Sequence, residues 1–386
     1  MSVHRAAATG PHVLRRMNVA AVLAALREGD APTARVTDLA ALTGLSRPAV
    51  TRALGELRDC GLVEFTTAVG PQPLGRPAQY ARFRAEAGHV AGVDIGPHKV
   101  LVMITDLAGQ VLATHRVAVD RGTGGPRLFA TVRAALTAAA EADVPLSSLW
   151  AVSAGTPGIV DRDRGEVLLA PSIPDWAGLP AASLLREWLQ CPVSIENDVN
   201  LAVLAERRQG AAASSATGRR DGAGARTDCL VFVQWGRRIG TGIVIDGRPY
   251  RGNSAAAGEL GFIDLMGDSG RVPGPRPADG MGPFERLVGA EAIHRLALEA
   301  GAPVGAAHDI APLFAAAEAG DRTAVDVVER VAARFARGLA VLLLVLDPGR
   351  RRGRCLAGGR HPARTGAQAS AIPHPGAGGT QRVGAR

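Results

Sequence analysis

Four hydroxyl and guanidinium side chains lie close together near residue 50, where they could contact a nucleic acid. They are Ser46, Arg47, Thr51 and Arg52. An arginine can form two parallel hydrogen bonds with the edge of a guanine, and serine or threonine hydroxyls can bond to bases or to phosphate oxygens. This chemistry requires a helix that presents its first turn to the major groove, so the surrounding sequence must supply that helix and its support.

Two helices are predicted ahead of this cluster. In the first, apolar residues recur at the helical spacing, at Val19, Val22, Leu23 and Leu26. The second has Thr37 as its predicted cap and ends at Gly44, in the position that favours a left-handed residue. A short glycine turn of this kind is typical of a helix-turn-helix, which we assign to Arg35–Cys60.

The third helix carries the cluster. Ser46 is predicted as its N-cap, and Pro48 lies in the first turn, where a missing N–H costs nothing. Val50, Leu54 and Leu57 define an inner face, which leaves the arginines and the threonine of the cluster outside. A three-helix packing unit that touches no nucleic acid is the alternative, but the serine cap and the outward arginines favour DNA binding.

Two short strands follow the third helix. Leu62–Thr66 and Gln79–Phe83 flank a loop rich in glycine and proline, Gly70–Pro77. This pattern resembles the wing of a winged helix-turn-helix. Arg76 in the loop would then reach a phosphate or the minor groove, and double-stranded operator DNA is the predicted partner.

From residue 89 the pattern changes to the alternation typical of strands. His89–Ile95, Lys99–Thr105 and Gln110–Val119 are predicted as consecutive strands, a helix follows over Leu128–Ala142, and another strand leads into Ser153–Asp161. An antiparallel meander followed by helix and strand units is how each half of an actin-like (RNase H-like) ATPase begins. The sequence therefore predicts an α/β, two-lobed, actin-like sugar kinase fold behind the winged helix.

Short motifs in this region occur in the order and spacing of one known family. They are Val93–Lys99, Pro171–Pro180, Glu196–Asn200, Gly236–Gly247 and Ala257–Gly261. Together with the winged helix in front, they resemble the ROK family (repressors, open reading frames and kinases), in which such segments form the phosphate loops, the catalytic segment and the sugar motif. The resemblance extends from about Met17 to Asp347.

The resemblance implies a sugar site made of carboxylates and amides. Its members would be Asn197, Asp198, Glu259 and Glu285. Convergent hydrogen bonds from such groups recognise sugar hydroxyls. In kinases of the family the residue that matches Asp198 is the base that accepts the proton of the sugar hydroxyl. A structural role is also open to Asp198, as the N-cap of a helix over Val199–Arg208.

The same resemblance implies phosphate contacts from two loops. They would come from Asp94, Gly96, Lys99, Gly240, Thr241 and Gly242. Pro97 and His98 replace a glycine and a threonine of the first loop, which removes an N–H donor and adds bulk. Arg237 and Arg238 replace small residues of the second loop, where they could attract phosphate but disturb the glycine geometry. These departures disfavour kinase activity, and ATP with magnesium is expected only if that activity is retained.

The structural zinc ion of the family is predicted to be absent, and no other cofactor is expected. Phe262 stands where the family has a histidine, and Gly267–Glu285 lacks the expected cysteine cluster. The four cysteines are far apart, so a reducing cytoplasm is the predicted location. No membrane partner is expected, because the longest apolar run, Leu339–Leu346, is too short to span a bilayer and is predicted as a buried helix end.

The positive charge is unevenly distributed. Residues 349–386 contain eight arginines and no acid, which accounts for the whole formal charge of +8. This tail has no apolar periodicity and is predicted to be disordered, either as a truncated or frame-shifted end or as a basic segment that binds DNA non-specifically. The predicted domains are therefore the winged helix at 1–86, the ROK-like sugar-binding domain at 87–348 and the tail at 349–386.

Three functions remain open from the sequence. The preferred one is a sugar-responsive transcription regulator, a repressor of carbohydrate metabolism genes. A small sugar or sugar derivative would close a cleft and alter the spacing of two DNA-binding modules in a homodimer or higher homo-oligomer. The second is an ATP-dependent, glucokinase-like sugar kinase with an appended DNA module. The third is a decayed product that folds poorly.

Overall fold

The computed structural model describes residues 10–29, 33–67, 79–140, 144–209, 229–264, 280–306, 308–348 and 350–355. Arg76 and the predicted wing loop at 70–77 lie outside these ranges. The chain divides into two units, Met1–Asp198 and Val199–Arg386. The predicted ligand domain at 87–348 is thus shared between the units, and the winged helix belongs to the first of them.

The first unit begins with the winged helix-turn-helix. Its elements are α1 (Pro11–Glu28), β1 (Thr33–Arg35), α2 (Val36–Thr43), α3 (Arg47–Asp59), β2 (Val63–Thr67) and β3 (Gln79–Phe83). The strands form a sheet in the order β1-β3-β2. The predicted inner faces of α1 and α3 are confirmed, because Val22, Val50, Leu54 and Leu57 are buried in one core. Helical spacing also predicts an inner face of Leu39, Ala40 and Leu42 on α2, and this is wrong for Leu42, which is 70% exposed while Leu39 is buried.

The predicted cap of the second helix is wrong. Strand β1 runs directly into α2, so Arg35 precedes the helix and Thr37 lies inside its first turn. Asp38 takes the capping role, since its carboxylate accepts a hydrogen bond from the backbone N–H of Arg35 at 3.3 Å. The hydroxyl of Thr37 donates to the same carboxylate at 3.2 Å.

A five-stranded sheet forms the rest of the first unit. Its strands are β4 (His89–Ile95), β5 (Lys99–Asp106), β6 (Val111–Ala118), β7 (Leu149–Thr156) and β10 (Val193–Asn197), in the order β10-β7-β4-β5-β6. The short pair β8 (Ile159–Asp161) and β9 (Glu166–Leu169) forms a separate hairpin. Helices α4 (Gly125–Ala140) and α5 (Ala181–Leu189) pack on the sheet around a core that contains Val93, Val102 and Leu136.

The second unit contains a smaller sheet. Among the residues that the structure describes, one helix precedes three of its strands in the sequence, and four helices follow them. Its elements are α6 (Asp198–Gln209), β11 (Leu230–Trp235), β12 (Ile239–Ile245), β13 (Arg248–Pro249), α7 (Glu285–Val288), α8 (Ala290–Ala300), α9 (Ala311–Glu318), α10 (Arg322–Leu346) and β14 (Arg350–Cys355). The sheet order is β13-β12-β11-β14. Helices α7 to α10 share a core in which Trp235 stacks on Phe335 with ring centroids 3.9 Å apart.

Strand β14 lies in the segment that the sequence assigned to a disordered tail. It is parallel to β11, with Arg350 opposite Leu230 and Cys355 opposite Trp235. The prediction is wrong for residues 350–355, because a parallel ladder is built by backbone groups and leaves no periodic signal in so short a segment. Residues 356–386 lie outside the described ranges, and disorder there stays a prediction.

The apolar end of α10 is exposed rather than buried. Leu344 is 85% exposed and Val345 is 76% exposed, whereas Leu339, Leu342 and Leu346 pack against the core of the second unit. A run of consecutive apolar residues covers all sides of a helix, and only one side can face the core. The expectation of a buried end is therefore wrong for Val341, Leu344 and Val345.

Candidate functional site

The N-terminal end of α3 is fixed by local bonds. Ser46 precedes the helix with extended backbone, and its hydroxyl accepts a hydrogen bond from the N–H of Ala49 at 3.4 Å. Gly44 adopts the left-handed conformation, with φ of 70°, and its N–H donates to the carbonyl of Ala40 at 3.0 Å. The turn between the two helices therefore has the predicted chemistry, which holds the first turn of α3 in a defined direction.

The predicted DNA contacts on α3 share an exposed surface. Ser46, Arg47, Thr51 and Arg52 are all exposed, while Val50, Ala53 and Leu54 on the opposite face are buried. The hydroxyl of Thr51 donates to the carbonyl of Arg47 at 3.0 Å, one turn earlier in the helix. The structure brings these four residues together, and only Arg76 of the predicted set lies outside the described residues.

One contact of the winged helix was not predicted. Nε of Arg35, at the start of α2, donates to the hydroxyl of Tyr80 on β3 at 2.9 Å, and the guanidinium lies 4.9 Å from the centroid of the ring. The hydrogen bond to Tyr80 raises the pKa of Arg35. This pair ties the helix-turn-helix to a wing strand. No local signal reveals it, because the partners are 45 residues apart.

Asn197 and Asp198 occupy the junction between β10 and α6. The amide of Asn197 donates to the carbonyl of Gly158 at 2.8 Å, and its backbone N–H donates to the buried carboxylate of Glu196 at 3.0 Å. Asp198 is the first residue of α6 rather than the residue before it. A carboxylate in the first turn of a helix is stabilised by the helix dipole, so a structural role and a ligand role are both compatible with its position.

Glu259 is held by the backbone around Gly258. Gly258 has φ of 91°, and a side chain there would collide with the carbonyl of Thr241. The N–H of Thr241 donates to the carbonyl of Gly258 at 3.0 Å, and a 3-10 turn follows at Leu260–Phe262. The motif that suggested a sugar contact is therefore also a tight packing point between β12 and the turn.

Glu285 is the most enclosed of the predicted sugar contacts. Glu285 is only 3% exposed. Oε1 accepts from the N–H of Ile239 at 2.9 Å, and Oε2 accepts from the N–H of Gly282 at 2.9 Å and from Nη1 of Arg238 at 3.2 Å. These bonds show that Glu285 fixes the start of β12 and the segment before α7, whatever else it contacts.

The first predicted phosphate loop is a turn between β4 and β5. The N–H of Gly96 donates to the carbonyl of Lys99 at 2.9 Å, with Pro97 and His98 between them. Nζ of Lys99 lies 2.6 Å from the carboxylate of Asp94. The lysine and the aspartate that were predicted to contact phosphate thus form an ion pair with one another.

The glycines of the second predicted phosphate loop lie against α6. A Cβ at Gly240 would be 2.7 Å from Cγ2 of Val199, and one at Gly242 would be 2.8 Å from Cβ of Val203. Thr241 between them is 4% exposed, and its hydroxyl has no hydrogen-bond partner within the described part of the chain. Packing against the helix is therefore sufficient to require both glycines.

The two arginines of this loop are engaged with acids of the helices that follow. Nε of Arg237 lies 2.6 Å from the carboxylate of Glu291 on α8. Nη1 of Arg238 bonds to the carbonyl of Gly280 as well as to Glu285 on α7. Their predicted attraction for phosphate would have to compete with these carboxylates.

Neither a metal cluster nor a membrane span is found in the described ranges. No group of three or more histidine, cysteine, aspartate or glutamate residues there could hold a metal ion. Most of the segment where the family cysteines are missing, residues 265–279, lies outside those ranges. Among the helices that the structure describes, none is long and apolar enough to cross a membrane.

These elements define a class of protein: a winged helix-turn-helix followed by the two α/β halves of an actin-like sugar kinase fold. Comparison with known proteins gives the same result. The model of the ROK family matches residues 90–350, and that of the IclR helix-turn-helix domain matches residues 17–66. The chain belongs to the ROK family.

Both regulators and kinases are among its relatives. A putative xylose repressor from Caldicellulosiruptor sp. (strain Rt8B.4) is 27% identical over 58% of this chain and 53% of its own length. The crystal structure of a ROK family transcriptional regulator, a homologue of the E. coli MLC protein, aligns with a TM-score of 0.66 and 22% identity over 88% of this chain and 83% of that one. A ROK family glucokinase from Streptomyces griseus, in complex with glucose and AMPPNP, aligns with a TM-score of 0.54 and 28% identity over 69% and 83% of the chains. The chain spans about half the length of the curated xylose repressors that it matches.

Proposed function

We propose that this protein is a sugar-responsive, DNA-binding transcription regulator that represses genes of carbohydrate metabolism. The observation that carries the proposal is the exposed surface of α3, where Arg47, Thr51 and Arg52 project from a helix whose other face is buried. A helix supported in this way can enter the major groove with its first turn. The same chain continues into a ROK domain, which gives the DNA-binding module a ligand-binding partner.

The DNA partner is a double-stranded operator with two half-sites. A single winged helix reads too few base pairs for good specificity, so a homodimer or higher homo-oligomer is the binding species. Arg47 and Arg52 supply base or phosphate contacts, Ser46 and Thr51 supply hydroxyls near the backbone, and Arg76 contacts DNA from the wing.

The effector is a small neutral sugar or sugar derivative. Asn197, Asp198, Glu259 and Glu285 supply the carboxylates and the amide that sugar hydroxyls require. The names of the relatives make D-xylose and D-glucose the first probes to use. Binding of the sugar changes operator affinity only if the sugar prefers one of two conformations of the protein.

An active sugar kinase is the second candidate, favoured by Asp198 at the position of the catalytic base and by the glucokinases among the relatives. Two observations weigh against it. Lys99 is paired with Asp94, and Arg237 and Arg238 are paired with acids of α7 and α8. Phosphoryl transfer depends on positioning and charge neutralisation, and each of these groups is engaged elsewhere. We therefore propose that the protein functions without ATP and magnesium. We propose that it also lacks the structural zinc, because Phe262 replaces the family histidine and the sequence of Gly267–Glu285 contains no cysteine.

A gel-shift titration separates the two candidates. Purified full-length protein is titrated against the promoter DNA that flanks its own gene, at low salt, alone and with D-xylose, D-glucose and other simple sugars. If the protein retards the DNA, and one sugar either releases the DNA or increases the affinity of the protein for it, the regulator is supported. An absent shift from protein with a cooperative thermal transition, combined with sugar-dependent ADP formation in a coupled assay, would establish the kinase instead.

A further inference from the structure

The DNA-binding module is joined to the five-stranded sheet without a linker. Strand β3 ends at Phe83 and β4 begins at His89, with a 3-10 turn at Ala85–Ala87 between them. Only Arg84 and Gly88 lie outside these elements. Because this connection is short and hydrogen-bonded, it leaves little freedom for the DNA-binding module to move relative to the five-stranded sheet.

Backbone bonds fasten the connection on both sides. On the side of the module, the N–H of Arg84 donates to the carbonyl of Leu62 at 2.9 Å, and its guanidinium donates to the carbonyl of Gly61 at 3.2 Å. On the side of the sheet, the N–H of Leu107, just beyond β5, donates to the carbonyl of Ala85 at 3.0 Å. The connection is therefore bonded to the turn between α3 and β2 and to the sheet at the same time.

Ion pairs reinforce the module side of the connection. The guanidinium of Arg82 on β3 bonds to Glu64 on β2 and to Glu86 in the 3-10 turn, and Nε of Arg84 lies 3.5 Å from Glu86. The pKa of Glu86 is lowered to about 2, mainly by the hydrogen bond from Arg82 and to a smaller extent by Arg84. The carboxylate thus stays charged throughout the neutral range.

Gly88 and Trp150 make the tightest contact of the connection. The indole ring of Trp150, the second residue of β7, lies over Gly88 so closely that a Cβ there would be 2.6 Å from Cδ2 and nearer still to two other ring atoms. The backbone of Gly88 is extended, with φ of −168°, so a side chain at this position is opposed by the ring and not by the dihedral angles. Trp150 is 44% exposed, so a Cβ at Gly88 would displace the indole ring toward solvent. Beside this contact, Nδ1 of His89 and Oγ of Ser148 are 2.8 Å apart.

The contact between Gly88 and Trp150 lies at one end of the five-stranded sheet. The residues of the sheet that are predicted to contact the ligand lie at the opposite end. Gly88 and Trp150 are at the starts of β4 and β7, which pair in parallel. Asp94 and Gly96 lie at the far end of β4, and Asn197 ends β10, which pairs in parallel with β7. A seven-residue strand spans about 20 Å, and a paired sheet transmits displacement over that distance as a stiff body.

We propose that Gly88 and Trp150 form a rigid joint that makes the DNA-binding module and the five-stranded sheet move as one body. The inference rests on the proposed function in one respect: the displacement that the joint transmits is the one caused by sugar at the far end of the sheet. Gly88 and Trp150 are positioning residues, since they lie at the opposite end of the paired strands from the predicted ligand residues Asp94 and Asn197. A module on a loose connection would bind operator DNA but would no longer respond to the sugar.

The joint can be tested with variants of the full-length protein at Gly88 and at Trp150, with a glycine of the same strand as control. Gly88→Ala places a methyl group in the indole ring, and Trp150→Ala removes the ring. Gly92→Ala in the same strand is the control, because a Cβ there meets nothing within 4 Å. In hydrogen exchange followed by mass spectrometry, peptides that contain Ala87 and Leu107 should exchange faster in Gly88→Ala and Trp150→Ala than in the wild type, and unchanged in Gly92→Ala.

The second readout is operator affinity with and without D-xylose or D-glucose. We expect sugar-free affinity within about twofold of the wild type for every variant, and an effect of the sugar that falls by about fivefold or more in Gly88→Ala and Trp150→Ala. The double variant should be no worse than Trp150→Ala, since the methyl group then has room. Wild-type exchange and a wild-type sugar effect in Gly88→Ala would overturn the joint. If the wild type binds operator but no sugar changes its affinity, the proposed effector is wrong, and the exchange data alone decide whether the joint is rigid.

Discussion

Arg238 and Glu285 form an ion pair whose partners differ sharply in burial. Nη1 of Arg238 lies 3.2 Å from Oε2 of Glu285, and the side chains are 29% and 4% exposed. The carboxylate also accepts two backbone N–H bonds, from Ile239 and Gly282, so its charge is balanced by three donors from two segments of the second unit. The neighbouring pair of Arg237 with Glu291 is more open, at 46% and 26% exposure.

Loss of Arg238 should therefore cost more stability than loss of Arg237. Arg238→Gln leaves a buried carboxylate with fewer donors, and we expect a loss of about 1–3 kcal/mol in the free energy of unfolding. Arg237→Gln removes a more exposed pair and should cost about 0–1 kcal/mol. Urea denaturation of both variants measures the difference. Equal losses would show that Glu285 does not depend on the arginine.

Arg47 and Arg52 should each contribute to operator binding. Arg47→Ala or Arg52→Ala should weaken binding of the cognate operator by about 1–3 kcal/mol if the arginine pairs with a base. Arg58→Ala is the control, since Arg58 is on the same helix but is paired with Asp59 at 2.9 Å in the last turn. Unchanged affinity in both test variants would remove α3 from the DNA interface.

Glu259 should be required for the sugar response and not for DNA binding. Glu259→Ala removes a carboxylate from the predicted sugar site while α3 stays intact, so sugar-free operator affinity should match the wild type and the sugar effect should be lost. Glu299→Ala, which removes an exposed acid of α8, should leave both properties unchanged. The measurement is operator affinity by fluorescence anisotropy across a sugar titration. A variant at Glu259 that responds at the wild-type sugar concentration would refute this site.

Gly242 should be intolerant of a side chain for reasons of packing. Gly242→Ala brings a Cβ to 2.7 Å from the carbonyl of Val199 and to 2.8 Å from Val203, and we expect a loss of about 1–3 kcal/mol in stability. Gly92→Ala, in open space on β4, should change stability by less than about 1 kcal/mol. Thermal and urea unfolding of the two variants provide the comparison. If Gly242→Ala is as stable as the wild type, the close approach to α6 is not a constraint.

The parts of the fold with a local signal were predicted well. Strands His89–Ile95 and Gln79–Phe83 have the predicted limits because alternating side chains mark both of their faces. Helix α3 begins as predicted because a serine cap and a proline in the first turn are local chemistry. The helix after the meander begins at Gly125 rather than Leu128, since no strong cap marks its start.

Contacts between distant segments were not predictable from one sequence. The bond between Arg35 and Tyr80 joins residues 45 positions apart, and that between Arg238 and Glu285 joins residues 47 positions apart. Strand β14 was missed because backbone pairing with β11 requires no particular side chains. The roles of the sugar and DNA contacts stay predictions, although the structure shows what each of these side chains touches within its own unit.

The packing of Gly240 and Gly242 on α6 bears on the evolution of ROK proteins that have lost kinase activity. A glycine that must make room for a helix is retained by selection for folding alone, even in a lineage that no longer transfers phosphate. The glycine signature of this loop would then persist after catalysis is lost, as an inherited packing constraint. In chains with this architecture, surviving glycines therefore do not distinguish a working kinase from a regulator.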